Sequence, residues 1–140
     1  ISANFMIEKQ VFMKINALED TNVYGLDYLF GSLLKQNNLK VKHINNEVYH
    51  LGIETNSIYL EKARQAVSTL FFLHKNKKIT SNQISLIKAF TWLNRFGLVS
   101  VFGHVTAKLN TRIENNLMGS SPNLLLFDLY RLGYFCRLDN

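Results

Sequence analysis

A single cysteine, Cys136, and a single proline, Pro122, stand among the 140 residues. One cysteine forms no intrachain disulfide and leaves no pair of thiols at the spacing of a structural zinc site, so a reducing, cytoplasmic setting is expected. No apolar run approaches the roughly 18–20 residues of a membrane-spanning helix. The chain opens on Ile1 and has no charged segment followed by an apolar one, so no secretory signal is expected. It contains no Asp-x-Asp, no glycine-rich phosphate loop and no convincing Ser/His/Asp order. His43, His74 and His104 show no ligand spacing with His50, which argues against zinc. Internal repeats and low-complexity segments are absent too.

What is present is an apolar fraction of 47%, ordinary for a folded protein and too high for a disordered one. The length suits one domain or part of a larger one. Charge is divided unevenly. Residues 1–56 carry 5 Lys/Arg and 6 Asp/Glu, net −1, whereas residues 57–140 carry 11 and 4, net +7. Such a split marks either a face for an anionic partner, nucleic acid or membrane surface, or a solvated basic helical surface.

Hydrophobic patterning changes along the chain in the same way. Ile1 to Ile7 is short and apolar enough for a buried strand, and Glu8-Lys9-Gln10 before Val11-Phe12 leads into a short helix. Leu29, Phe30, Leu33 and Leu34 share one face of a helix that Asn37-Asn38 ends. Leu39 to Ile44 alternates apolar and polar as a half-buried strand does, and Glu47 to His50 forms a second candidate strand. From Asn56 the period becomes about 3.6. Tyr59, Ala63, Ala66, Val67, Leu70 and Phe71 line one helix. Leu86, Ala89, Phe90, Leu93 and Phe96 line a second, which the spacing of Thr80-Ser81-Asn82-Gln83 caps and Gly97 ends. A long stripe of Leu98, Val101, Phe102, Val105, Leu109, Ile113 and Leu117 predicts a third, and Ser121-Pro122 reads as the start of a fourth. Two strands cannot bury the early helix face unaided, so the first 56 residues are expected to belong to a larger sheet.

Two polar side chains stand out. Asp27 follows Gly25 at the start of an apolar helix, where an aspartate caps exposed amides or acts as a rigidly held general base. The positive end of the helix complements its charge in either role. His50 closes a strand beside Gly52, and is either structural or able to meet a divalent metal or a phosphate oxygen.

Several blocks in order resemble the C-terminal half of family 2 glycosyltransferases, especially the Bacteroidetes-type enzymes of cell-surface polysaccharide synthesis. Ser2 to Phe12 is similar to the strand before that family's catalytic motif, and Tyr24-Gly25-Leu26-Asp27-Tyr28-Leu29-Phe30-Gly31 to its G-x-E-D-x-x-F-G region. Phe30-Gly31 fixes the register, setting Asp27 on the family's catalytic aspartate and Leu26 where a glutamate is usual. Tyr49-His50-Leu51-Gly52-Ile53-Glu54 is similar to the H-L-G-x-E stretch, and Asn123 to Cys136 to the family's tail.

The resemblance implies an α/β fold: a partial GT-A-like sheet over residues 1–56, part of the catalytic domain, followed by an all-helical, amphipathic extension over 57–140. It implies inverting transfer from a nucleotide-sugar donor to a glycan or lipid-linked acceptor, with Asp27 as base and Asn4, Tyr24, Gly25 and Tyr28 near substrate. A divalent metal, Mn or Mg, would neutralise the leaving diphosphate. His50 would approach it, while an N-terminal half with an Asp-x-Asp holds it, so these 140 residues alone are expected to be inactive. The expected location is the cytoplasm, at the inner face of the plasma membrane. The alternative is a non-enzymatic basic helical module on an anionic membrane, with nucleic acid the less favoured partner.

Overall fold

Helices start and stop here where side chains or backbone turns satisfy the amides and carbonyls that a helix end leaves orphaned. The structure, a computed structural model, describes residues 5–16, 23–49, 51–79 and 84–139. Its elements are α1 (Lys9–Asn16), α2 (Asp27–Gln36), α3 (Asn56–Lys75), α4 (Ser85–Arg95), α5 (Val99–Met118) and α6 (Leu124–Asp139). Thr55 begins α3, its hydroxyl accepting from the Ile58 amide at 3.5 Å. Asn123, not the expected Ser121, begins α6. Its Oδ1 accepts from the Leu125 and Leu126 amides at 2.8 and 3.3 Å. Three helices end alike, by a left-handed residue that turns two amides back on the last carbonyls. Asn38 does this for α2, Lys77 for α3 and Gly97 for α4, the last with Leu98 N–H to the Leu93 carbonyl at 2.9 Å. The expected capping box at Thr80–Gln83 lies outside the described residues.

The main core forms where α2, α3, α4 and α6 converge. Leu70, Leu73, Ile87 and Phe135 are fully buried there, with Leu29 of α2 at the edge. Phe135 is the hub, its ring centroid 4.9 Å from Phe90 and 5.3 Å from Phe71. A smaller cluster of Leu60, Ile113, Leu117 and Tyr130 joins α3, α5 and α6. The most extensive helix pairing is α5 with α6. Gly133 makes it possible, because a Cβ there would lie 2.3 Å from Thr106 Oγ1.

The expected sheet is absent, and the α/β assignment is corrected: the described residues are helical and irregular, without a strand. Residues 5–7 are irregular, and Ile1 to Asn4 lie outside the described residues. Residues 39–49 are irregular and almost wholly exposed, Tyr49 at 98%. A strand must place its amides and carbonyls on a neighbour, and alternation of Leu39-Lys40-Val41-Lys42 supplies the face but not the neighbour. With no partner edge among the described residues, the partial GT-A-like sheet does not form.

The stripe expected along α5 divides, with Ile113 and Leu117 buried and Phe102 packed on the main core. Val99, Gly103, Thr106, Ile113 and Leu117 face inward, whereas Val101, Val105 and Leu109 are exposed. Gly133 admits Thr106 at close range, and Gly103 is buried on the same helix, so the helix turns these small residues, not its valines, inward. Among the described residues no helix is long and apolar enough to cross a membrane.

Candidate functional site

The turn before α2 is fixed by its glycine. Gly25 has φ +98°, a conformation that L side chains rarely adopt, and a Cβ there would meet the Ala66 Cα at 2.8 Å. The turn therefore lies directly against α3. Thr69 of α3 donates its hydroxyl to the Tyr24 carbonyl at 2.7 Å, and the Tyr28 amide donates to the Gly25 carbonyl at 3.2 Å. With both ends of the turn tied, Asp27 becomes the first helical residue and its side chain is exposed.

Asp27 is not a cap. The capping position is Leu26, which makes no side-chain bond, and among the described residues the Asp27 carboxylate has no hydrogen-bond or ion-pair partner. It lies instead on the rim of an open groove of about 440 Å³. Tyr24, Gly25, Tyr28, Tyr59, Phe127 and Arg131 line that groove with it. Arg131 of α6 donates to the Tyr28 hydroxyl at 2.8 Å, and its guanidinium lies 5.4 Å from the Phe127 ring centre. Asp128 sits 3.6 Å from the same guanidinium. Tyr59 and Phe127 pack with ring centres 5.7 Å apart. Lys62 lies 5.8 Å from the centre of the Tyr24 ring and pairs with Glu54.

A second hollow of about 740 Å³ adjoins Tyr24 and is bounded by Glu61, Arg64, Ser68 and Tyr134. Its charges are largely satisfied internally, since Arg64 meets Glu61 at 2.7 Å and Glu114 at 3.6 Å. Tyr130 donates to Glu114 at 3.1 Å, and burial pushes its phenol up to about 12, so it stays a neutral donor. Cys136 is buried and its thiol is pushed up to about 11 by that burial, with Asp139 adding to the shift, so it is an inert core residue.

Four residues expected near the chemistry, Tyr24, Gly25, Asp27 and Tyr28, thus come together on one groove. Asn4 and His50 lie outside the described residues. Among the described residues no three of His, Cys, Asp or Glu come together as a metal site. A divalent metal needs several oxygen ligands, and among the described residues Asp27 is the one carboxylate lining this groove, so the groove as described does not fit such an ion. Tyr59, Phe127 and Arg131 were not expected here. Nothing in spacing links them to residue 27, and the local sign is Phe127 and Arg131 four apart on one helix face. Comparison with protein-family models, curated proteins and solved structures finds no match.

Proposed function

We propose that this chain supplies the acceptor side of an inverting glycosyl transfer, with Asp27 as the general base. The observation that supports it is the Gly25 turn, locked on Ala66, which holds an unpartnered carboxylate at the rim of an aromatic groove. An ionised carboxylate only accepts hydrogen bonds, so it selects a ligand rich in O–H donors. Rings such as Tyr24, Tyr28 and Tyr59 offer flat apolar faces with polar tips, which suit the C–H faces and hydroxyls of a saccharide. In the transfer, Asp27 accepts the proton of an acceptor hydroxyl as its oxygen bonds to the anomeric carbon and the bond to the nucleoside diphosphate breaks. Arg131 is tied to Tyr28 and Asp128, and so orders the groove wall.

The donor and the divalent metal implied by the resemblance are assigned to residues other than those described. A cytoplasmic location at the inner face of the plasma membrane goes with this function. Calorimetric titration of the 140-residue chain with UDP-sugars and Mn²⁺ is expected to give no saturable heat. Saturable micromolar binding would contradict the division of labour between donor and acceptor sides.

A further inference from the structure

The outward face of α4 and α5 combines two properties that rarely occur together without a partner. Trp92 and Phe96 are both 58% exposed, with ring centres 4.9 Å apart, so they form one aromatic ledge on the last turns of α4. The Gly97 turn leads straight from that ledge through exposed Leu98 into α5. There Val101, Val105 and Leu109, spaced by four, continue an apolar line on the side away from Gly103 and Thr106. Scattered apolar residues on a surface are ordinary; two exposed apolar groups on consecutive helices, joined through an exposed leucine, point to a contact face.

Charge then decides what it contacts. Between Glu61 and Glu114 the sequence contains nine Lys/Arg and no Asp or Glu. Lys88 lies one turn before Trp92, and Arg95 three residues after it. Lys108 and Arg112 flank the apolar line of α5. All four are exposed, and among the described residues none is in an ion pair. A protein partner covering this face would bring carboxylates to four separate cations around a hydrocarbon centre. An anionic bilayer offers both at once: headgroup charge at the rim and acyl chains beneath. Tryptophan favours that boundary, where its apolar ring and N–H are both satisfied. Nucleic acid would use the cations but leave Val101, Val105 and Leu109 in water.

We propose that this face is a docking surface for an anionic membrane, on which α4 and α5 lie in the interface without crossing it. It uses residues other than those of the Asp27 groove and is tested independently of sugar transfer.

Trp92 is the one tryptophan of the chain, so its emission reports on this face alone. The intact chain is mixed with phosphatidylcholine vesicles carrying about 30% phosphatidylglycerol. The expected result is a blue shift of Trp92 emission, quenching by brominated acyl chains and co-flotation, all much weaker with phosphatidylcholine alone. Replacing Lys108→Gln and Arg112→Gln together is expected to weaken partitioning about 25-fold, at about fivefold per charge. Val105→Asp is expected to remove the blue shift with an unchanged circular dichroism spectrum, because Val105 is exposed and belongs to neither core cluster. Absence of both shift and flotation on the anionic vesicles would overturn the proposal. So would vesicle-independent retention on duplex DNA or RNA, or a blue shift that grows with protein concentration in the absence of lipid.

Discussion

His74 is a residue whose surroundings make the fold sensitive to acid. Its ring sits half-buried between Phe90 and Phe135, with centroid distances of 6.1 and 6.2 Å. Burial lowers its pKa below the ordinary 6.5, the adjacent Lys75 pushes the same way, and Asp139 opposes both. The folded state therefore binds the proton less readily than the unfolded chain. Stability from this group is complete above pH 6.5 and is lost as the pH falls through 6.5 toward the lowered value. Urea melts at stepped pH are expected to show wild type losing stability over that window relative to His74→Gln, which carries no titrating ring. Equal slopes in the two proteins would contradict the assignment. Gly25 acts at the same scale on the groove, because only a residue without Cβ holds the turn on Ala66.

At the scale of elements, the pairing of α5 and α6 depends on a small residue meeting a threonine. Thr106 donates to the Phe102 carbonyl at 2.8 Å, so its side chain is held and cannot swing away from Gly133. Gly133→Ala would place a methyl 2.3 Å from Thr106 Oγ1 and 2.6 Å from its Cβ. The expected cost is about 1–3 kcal/mol or more, from overpacking at a rigid contact. Thr106→Ala in the same chain is expected to restore only part, since the Cβ clash remains. Full restoration in thermal melts would show that the hydroxyl alone sets the spacing.

These elements also show what patterning conveys. The helix ends at Asn37-Asn38 and at Gly97 were legible because asparagine and glycine tolerate the left-handed cap, whereas Lys77 gives no such sign. The strands were not, because Leu39 to Ile44 has the alternation of a strand whether or not an edge exists to pair with it. The α5 stripe was legible in part, through Phe102, Ile113 and Leu117, and for a related reason not as a whole. Apolar content identified Val101, Val105 and Leu109 as one line, but Gly103 and Thr106, the residues that do pack, carry no hydrophobic signal.

Over the whole molecule, helices far apart in sequence assemble one groove. That Tyr24, Gly25, Asp27 and Tyr28 lie close together was readable from the glycine turn. Tyr59, Phe127 and Arg131 were not, because a contact across 103 residues, such as Arg131 to Tyr28, leaves no trace in local spacing. The uneven charge was readable too, but only the exposure of Trp92 and its neighbours gave it a direction. On the two proposals taken together, the groove offers a carboxylate to a saccharide acceptor while the basic apolar face rests on an anionic surface. The claim on which this depends is the role of Asp27. It is tested most directly by measuring sugar transfer and donor affinity in a polypeptide that joins this chain to a donor-binding half, with and without Asp27→Asn. Turnover is predicted to fall by a factor on the order of 10²–10⁴ with donor affinity unchanged. Transfer at near wild-type rate would contradict it.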